Sequence, residues 1–229
     1  KIAEIMEPFT GYAQNQESML KIIKKHALAA ENLANNFDSL MTLDGSGNQI
    51  IGREKLIEET AKVWQEALIW GEKCGFRNSQ VTVLAPTGTI AFLMDCDTTG
   101  IEPELALIKY KKLVGGGTLK LVNSQVPTAL KRLGYDEQQI SDITSYFLEK
   151  ETIEGAPHLN PDHLPIFDCS FKARNGVRSI GYLGHIKMMG TVQPFISGAI
   201  SKTVNLPNNA TPDDIRNAFI QSWKLGLKS

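Results

Sequence analysis

The feature that most constrains the fold is a short β-branched run followed by a proline, a glycine and two threonines. Residues 80–84 (Gln-Val-Thr-Val-Leu) are mostly apolar, which predicts a buried strand. Pro86 cannot donate to a sheet ladder, and its fixed φ suits the first turn of a helix. Residues 90–94 are apolar and predict the start of that helix. The sequence therefore predicts a strand, a tight turn and a helix N-terminus in direct succession.

The turn between this strand and this helix has the composition of an anion-binding site. A helix N-terminus leaves backbone N–H groups unpaired at the positive end of the helix dipole, and such an arrangement binds phosphate. Two threonine hydroxyls would add donors, and a glycine lets a ligand approach the backbone closely. The predicted phosphate-binding residues are Ala85, Pro86, Thr87, Gly88, Thr89 and Ile90.

An ordinary strand-to-helix connection is the alternative for the same residues, with Thr87 and Thr89 acting only as helix caps. No lysine follows Gly88, so the pattern is not a P-loop, and the chain has no Gly-x-Gly-x-x-Gly motif. On the local pattern alone, both interpretations stay open.

The residues that follow the turn resemble one family, the adenosylcobalamin-dependent (class II) ribonucleotide reductases. The resemblance extends from about Ile5 to the last residue and includes several stretches in the right order. These stretches are residues 95–104 (Asp95-Cys96-Asp97-Thr98-Thr99-Gly100-Ile101-Glu102-Pro103-Glu104), 105–117, 154–158, 163–169, 188–189 and 193–205 (Gln193-Pro194-Phe195-Ile196-Ser197-Gly198-Ala199-Ile200-Ser201-Lys202-Thr203-Val204-Asn205).

The resemblance implies a fold and a reaction. The enzymes of this family reduce ribonucleotides to 2′-deoxyribonucleotides inside a ten-stranded α/β barrel. Adenosylcobalamin generates a thiyl radical on a cysteine, and a cysteine pair, itself reduced by a thioredoxin-like protein or another dithiol, supplies the electrons. The resemblance therefore implies an α/β fold, a ribonucleotide substrate bound through its phosphates at residues 85–90, and adenosylcobalamin as cofactor. The resemblance is also compatible with a full enzyme that is a homodimer.

The cysteines of the chain do not match the family's catalytic stretches. The radical cysteine of the family lies in an Asn-Pro-Cys-Ser-Glu-like stretch, which is absent between Lys1 and Ser229. The chain has three cysteines, Cys74, Cys96 and Cys169, and none forms a Cys-x-x-Cys pair. We predict that each is a buried small hydrophobic residue. No catalytic residue is assigned, and the radical and redox cysteines are expected upstream of Lys1.

The chain as a whole is interpreted as one partial barrel domain, residues 1–229, truncated at both ends. It should be helix-rich with few short strands, and inactive by itself. A non-catalytic nucleotide-binding or assembly module derived from the same fold is the alternative. The net charge of −1 provides no long-range attraction to nucleic acid. Unpaired cysteines, with neither a signal peptide nor an apolar run of membrane-spanning length, favour a cytoplasmic protein without membrane contact.

The spacing of apolar residues and the positions of capping and helix-ending residues predict most of the remaining elements. Ser18 and Thr211 are expected as helix N-caps, and Gly75 as a helix end. The predicted elements are helices over residues 18–32, 54–74, from about 88, 123–133, 136–148, 182–195 and 212–225, an exposed loop over 35–52, and a strand over 164–169.

Two histidine-containing patterns suggest ligands only weakly. His158 and His163 lie five residues apart in a proline-rich loop without a helical i, i+4 pair, so we predict no metal site. His185 near Met188 and Met189 suggests a cofactor contact, but methionines at helical spacing are more typical of a core.

Overall fold

The computed structural model describes residues 1–35, 53–112 and 115–228. Eight α-helices lie in these ranges: α1 (Ile2–Met6), α2 (Tyr12–Asn35), α3 (Arg53–Cys74), α4 (Gly88–Leu93), α5 (Val126–Arg132), α6 (Glu137–Lys150), α7 (Tyr182–Val192) and α8 (Pro212–Lys224). Two strands, β1 (Ile108–Lys112) and β2 (Thr118–Val122), and two 3₁₀ helices, Pro161–Phe167 and Gln193–Phe195, complete the described elements.

The chain folds into two units, each assembled from more than one segment of the sequence. The first consists of residues 1–84, 190–200 and 228–229, and the second of residues 85–189 and 201–227. In the described ranges, none of the helices combines the length and the apolar character needed to cross a membrane.

Most of the predicted helices are confirmed, because their caps and apolar spacing are strong local signals. Asp136 caps α6 in a capping box with Gln139, and Thr211 caps α8 in the same way. Gly75 follows α3 with a φ of 73°, the left-handed conformation that ends many helices. The expected cap at Ser18 is wrong, since α2 already begins at Tyr12. The predicted loop over residues 35–52 lies, apart from Asn35, outside the described residues.

The first unit is built on the packing of α2 against α3. His26 on α2 is buried, and its ring lies 4.8 Å from that of Trp64 on α3. The same imidazole makes hydrogen bonds with the Pro194 carbonyl oxygen and, at 2.9 Å, with Ser197 Oγ. One side chain of α2 thus anchors residues 193–205, one of the stretches that resemble the reductase family.

The predicted strand over residues 80–84 is only partly formed. It makes one isolated parallel bridge, between Leu84 and Ile200, with the Leu84 amide 3.0 Å from the Ala199 carbonyl oxygen. Val81 and Val83 are exposed rather than buried. A parallel strand becomes buried only when neighbours cover it on both faces, and the described residues provide one pairing.

The antiparallel hairpin of β1 and β2 is a feature that the helical interpretation missed. Ile108 pairs with Val122 and Lys112 with Thr118 across a connection that includes three glycines, residues 115–117. All three have φ near +95° to +100°, a conformation that glycine adopts without a steric penalty. The helix predicted from residue 123 is accordingly shorter and begins at Val126.

The strand predicted over residues 164–169 is wrong. Residues Pro161–Phe167 form a 3₁₀ helix, which begins where the Asn160 side chain accepts a hydrogen bond from the Asp162 amide. Pro165 lies inside the segment and has no N–H to donate to a sheet ladder. Local capping and proline therefore outweigh the apolar composition that suggested a strand.

The core of the second unit is formed by α5, α6 and buried residues between positions 153 and 167. Phe147 and Ile143 of α6 and Leu130 of α5 are almost completely buried. The other buried members of this core are Val126, Ile153, Ala156 and Phe167. Helix α8, in contrast, has no buried residue, and Phe219 and Trp223 on it are 74% and 79% exposed.

The first prediction concerns this core. Replacing Phe147 by Ala should lower the free energy of unfolding by about 3–5 kcal/mol, because a fully buried ring is lost and a cavity is left. Urea denaturation of the chain measures the change. The matched variant Phe219→Ala, on the exposed face of α8, should stay within about 0.5 kcal/mol of the parent chain. Equal losses in the two variants would contradict the location of the core.

Candidate functional site

The predicted turn is present, and its backbone is held in an uncommon conformation. Helix α4 begins at Gly88, with Thr87 as its N-cap residue at φ 52° and ψ 20°. A left-handed conformation is uncommon for threonine, so surrounding contacts must hold it there. The expectation that Pro86 lies in the first helical turn is wrong, because Pro86 precedes the cap residue.

The first amides of α4 have no hydrogen-bond partner among the described residues. In the part of the chain that the structure describes, no hydrogen bond occupies the amides of Gly88, Thr89 and Ile90. The Ala91 amide is the first to be satisfied, by the Thr87 carbonyl oxygen at 2.7 Å. Three adjacent free N–H groups at the positive end of a helix can coordinate an anion.

The surroundings of these amides are open. All residues of the turn are exposed or half-buried, and a Cβ atom added at Gly88 would meet nothing within 4 Å. Ile90, Leu93 and Met94 are also largely exposed, so the apolar face of α4 is uncovered in the described chain.

The side chain of Thr87 does not cap the helix. Its Oγ1 accepts a hydrogen bond from the Gly100 amide at 2.8 Å and makes no bond to an N–H of α4. Gly100 has a φ of +55°, and a Cβ on it would lie 2.6 Å from the Ala85 carbonyl oxygen. The residue at position 100 must therefore be glycine for the backbone at Gly100 to approach the backbone at Ala85 this closely.

Two residues after Gly100, Glu102 forms an ion pair with Lys202, and His185 lies beside this pair. Lys202 Nζ is 2.7 Å from Glu102 Oε2 and 2.7 Å from His185 Nδ1, and the lysine side chain is 1% exposed. Burial raises the pKa of the Glu102 carboxyl, but hydrogen bonds from Lys202 and Thr203 more than offset it, so the net pKa is lowered. Burial, together with the charge of Lys202, lowers the pKa of His185.

This buried cluster was missed as a unit by the sequence analysis. Glu102 and Lys202 both belong to the family-like stretches, but residues a hundred positions apart in the chain give no signal that they pair. His185 and Met189 are buried as predicted for a core, whereas Met188 is exposed.

The three cysteines are free thiols in different environments. Cys169 is buried, as predicted, and Cys74 is half-buried. The prediction of burial is wrong for Cys96, because α4 ends at Leu93 and the following loop exposes the thiol. Burial and the nearby Glu104 carboxylate raise the pKa of the Cys169 thiol to about 12, so it stays protonated.

The histidines of the proline-rich loop have separate partners. His163 Nδ1 lies 2.8 Å from the Tyr135 hydroxyl, and His158 Nε2 lies 3.2 Å from Asp142 Oδ2. Within the described ranges, no three His, Cys, Asp or Glu side chains come together in a way that could hold a metal ion.

A cavity of about 350 Å³ lies next to Cys169 in the second unit. Its lining includes the apolar side chains of Ile108, Phe147 and Phe167. Two ion pairs lie at its edge, Arg178 with Asp168 at 2.7 Å and Arg174 with Glu151 at 3.6 Å.

The family follows from the sequence as a whole. All 229 residues match the family model described as the ribonucleotide reductase barrel domain. The chain belongs to the ribonucleotide reductase family.

Curated relatives of this reductase chain match it along its full length. It is 49% identical to a vitamin B12-dependent ribonucleotide reductase of Rhodopirellula baltica and 46% identical to one of Streptomyces coelicolor, in each case over 100% of the chain. A third relative with this name, from Streptantibioticus cattleyicolor, is 44% identical. The chain covers 21%, 22% and 35% of the lengths of these three relatives, respectively.

The second prediction concerns the thiols. Iodoacetamide at pH 8 should label Cys96 in the native chain and Cys169 only after unfolding, because a thiol with a pKa of about 12 has about a thousandfold less thiolate than an unperturbed cysteine. Peptide mass spectrometry assigns the labels, with Cys96→Ser as the control. Equal labelling rates at the two native thiols would contradict the assigned environments.

Proposed function

We propose that the chain is a segment of a vitamin B12-dependent ribonucleotide reductase and forms the C-terminal part of its ten-stranded α/β barrel. The complete enzyme would reduce ribonucleoside diphosphates to 2′-deoxyribonucleotides in the cytoplasm. The support is the full-length match to the barrel family and the shared name of five relatives that are 42–49% identical to the chain.

The contribution that we propose for this chain is to bind the phosphates of the substrate. The observation that carries this proposal is the group of three amides at Gly88, Thr89 and Ile90, at the positive end of α4, which have no partner in the described ranges. Hydrogen bonds from backbone N–H groups to an anion are short and strong, and they need no side-chain cation. The open space at Gly88 allows phosphate oxygens to reach these amides.

Phosphate binding at this turn would position the ribose for hydrogen abstraction. Removing a hydrogen atom from a particular carbon requires the reacting atoms to be close and aligned. An anchor made of backbone amides on a braced turn limits how far the nucleotide can move. The role of the chain would therefore be orientation, with Thr87 holding the backbone and Thr89 offering a hydroxyl beside the amides.

The cavity beside Cys169, in the part of the chain that the structure describes, does not fit the cofactor that the relatives' name implies. The cavity beside Cys169, at about 350 Å³, is near the lower end of pockets that hold drug-sized ligands, and a corrinoid is much larger than these. Adenosylcobalamin supplies the radical that starts the reaction, and we propose that other parts of the enzyme hold it.

The cysteine chemistry would also come from elsewhere in the enzyme. Cys169 is a buried, protonated thiol, and Cys96 and Cys74 form no disulfide. We propose that the radical cysteine and the reducing pair lie outside this chain. A thioredoxin-like protein or another dithiol would then restore that pair after each turnover.

The third prediction tests the phosphate site. In the complete enzyme, Gly88→Val should raise KM for a ribonucleoside diphosphate by about tenfold or more, the cost of losing one charge-assisted hydrogen bond. The fold should tolerate this change, because a Cβ at Gly88 meets nothing within 4 Å and the residue has no positive φ. Steady-state kinetics measures KM, and thermal unfolding confirms that the variant is folded.

Gly181→Val is the matched control. Gly181 also precedes a helix, α7, and a Cβ there likewise meets nothing within 4 Å. KM should be unchanged in this variant. An unchanged KM in folded Gly88→Val would overturn the proposed role of the turn.

A further inference from the structure

Lys202 is fully occupied by protein acceptors. Its ammonium group has three N–H donors. Glu102 Oε2 and His185 Nδ1 each lie 2.7 Å from Nζ, and the Thr203 carbonyl oxygen lies 2.6 Å away. With the side chain 1% exposed, no donor remains for a ligand. The lysine is therefore placed to hold protein atoms.

The Glu102 carboxylate is held by both of its oxygens. Oε2 accepts from Lys202, and Oε1 accepts from the Thr203 amide at 2.5 Å. Both contacts come from adjacent residues of one segment. Moving Glu102 would break an ion pair and a backbone hydrogen bond together.

His185 is a further partner of the lysine. Because the ammonium group donates to Nδ1, the imidazole is neutral and carries its proton on Nε2. The ring is 1% exposed and lies on α7. A second cation beside Lys202 would be unfavourable, which agrees with the lowered pKa of His185.

The anchored glutamate ends a tight turn that reaches the phosphate-binding residues. The Glu102 amide donates to the Thr99 carbonyl oxygen at 3.0 Å, and Gly100 inside this turn has a φ of +55°. The Gly100 amide then donates to Thr87 Oγ1 at 2.8 Å. A continuous path of short contacts thus joins Lys202 to the N-cap of α4.

We propose that Glu102 and Lys202, with His185 behind them, are positioning residues that hold Thr87 in its left-handed conformation and so direct the first amides of α4 towards the substrate's phosphates. The mechanical part of this inference concerns the described residues alone, and its catalytic consequence rests on the proposed phosphate site. We call Glu102, Lys202 and His185 the buried brace.

The fourth prediction is that breaking the buried brace loosens the turn locally. In the complete enzyme, Glu102→Gln and Lys202→Met should each speed hydrogen exchange of the Gly100 and Ala91 amides by about tenfold or more, as expected for loss of a charge-assisted hydrogen bond. The same variants should raise KM for a ribonucleoside diphosphate more than they lower kcat. Glu102→Gln preserves the shape of the side chain and remains informative if Lys202→Met does not fold.

Asp168→Asn is the matched control. Asp168 forms a two-bond ion pair with Arg178, at 2.8 and 2.7 Å, and none of the hydrogen bonds recorded for this pair in the described residues is to the turn. The substitution should leave exchange at Gly100 and KM unchanged. Restoring the carboxylate with Glu102→Asp should recover part of the protection if charge pairing is what holds the segment.

The possible results test the buried brace and the phosphate site independently of each other. Unchanged exchange at Gly100 in folded Glu102→Gln and Lys202→Met would overturn the buried brace, whatever the kinetics. Faster exchange with an unchanged KM in these variants would retain the mechanical role of the buried brace and overturn its effect on substrate binding. If Gly88→Val also had an unchanged KM, the phosphate site would be overturned instead.

Discussion

The geometry of the candidate site depends on the close approach of Gly100 to the backbone at Ala85. A Cβ atom at position 100 would lie 2.6 Å from the Ala85 carbonyl oxygen, a separation that side chains do not tolerate. This approach brings the Gly100 amide within 2.8 Å of Thr87 Oγ1. This hydrogen bond fixes the Thr87 side chain, while the Thr87 carbonyl oxygen accepts from the Ala91 amide at 2.7 Å.

The ion pair of Glu102 and Lys202 lies close to this contact, since Glu102 follows Gly100 by two residues. Lys202 is buried and Glu102 is half-buried, and removing one partner from such a pair usually costs more than the pair contributes, because the remaining charge is left without compensation. The role that we propose for the pair is therefore to specify one arrangement of residues 99–102 rather than to add much stability. Redox chemistry is a separate matter, since the buried thiol of Cys169 remains protonated and the other two cysteines are unpaired.

Local signals in the sequence were sufficient to predict much of this fold. The cap at Thr211 and the helix end at Gly75 are confirmed, as is the beginning of α4 at Gly88. Each depends on a few neighbouring residues. The hairpin of β1 and β2 was missed because lysines and glycines obscure its alternation, and the strand predicted over residues 164–169 failed because capping and proline favour a 3₁₀ helix.

The candidate site shows the same division between local and distant information. The composition of residues 85–90 predicts a turn and a helix N-terminus, and both are present. The interpretation of Thr87 as a simple cap is wrong, because its hydroxyl bonds to an amide thirteen positions away. The pairing of Glu102 with Lys202 involves a separation of a hundred residues, which no local rule can predict from one sequence.

The most direct test of the proposed phosphate site is the structure of the complete reductase with a ribonucleotide bound. We expect phosphate oxygens at about 2.7–3.2 Å from the amide nitrogens of Gly88 and Thr89, with Thr87 still bonded to Gly100. A nucleotide whose phosphates are bound by other residues, with these amides facing solvent, would contradict it.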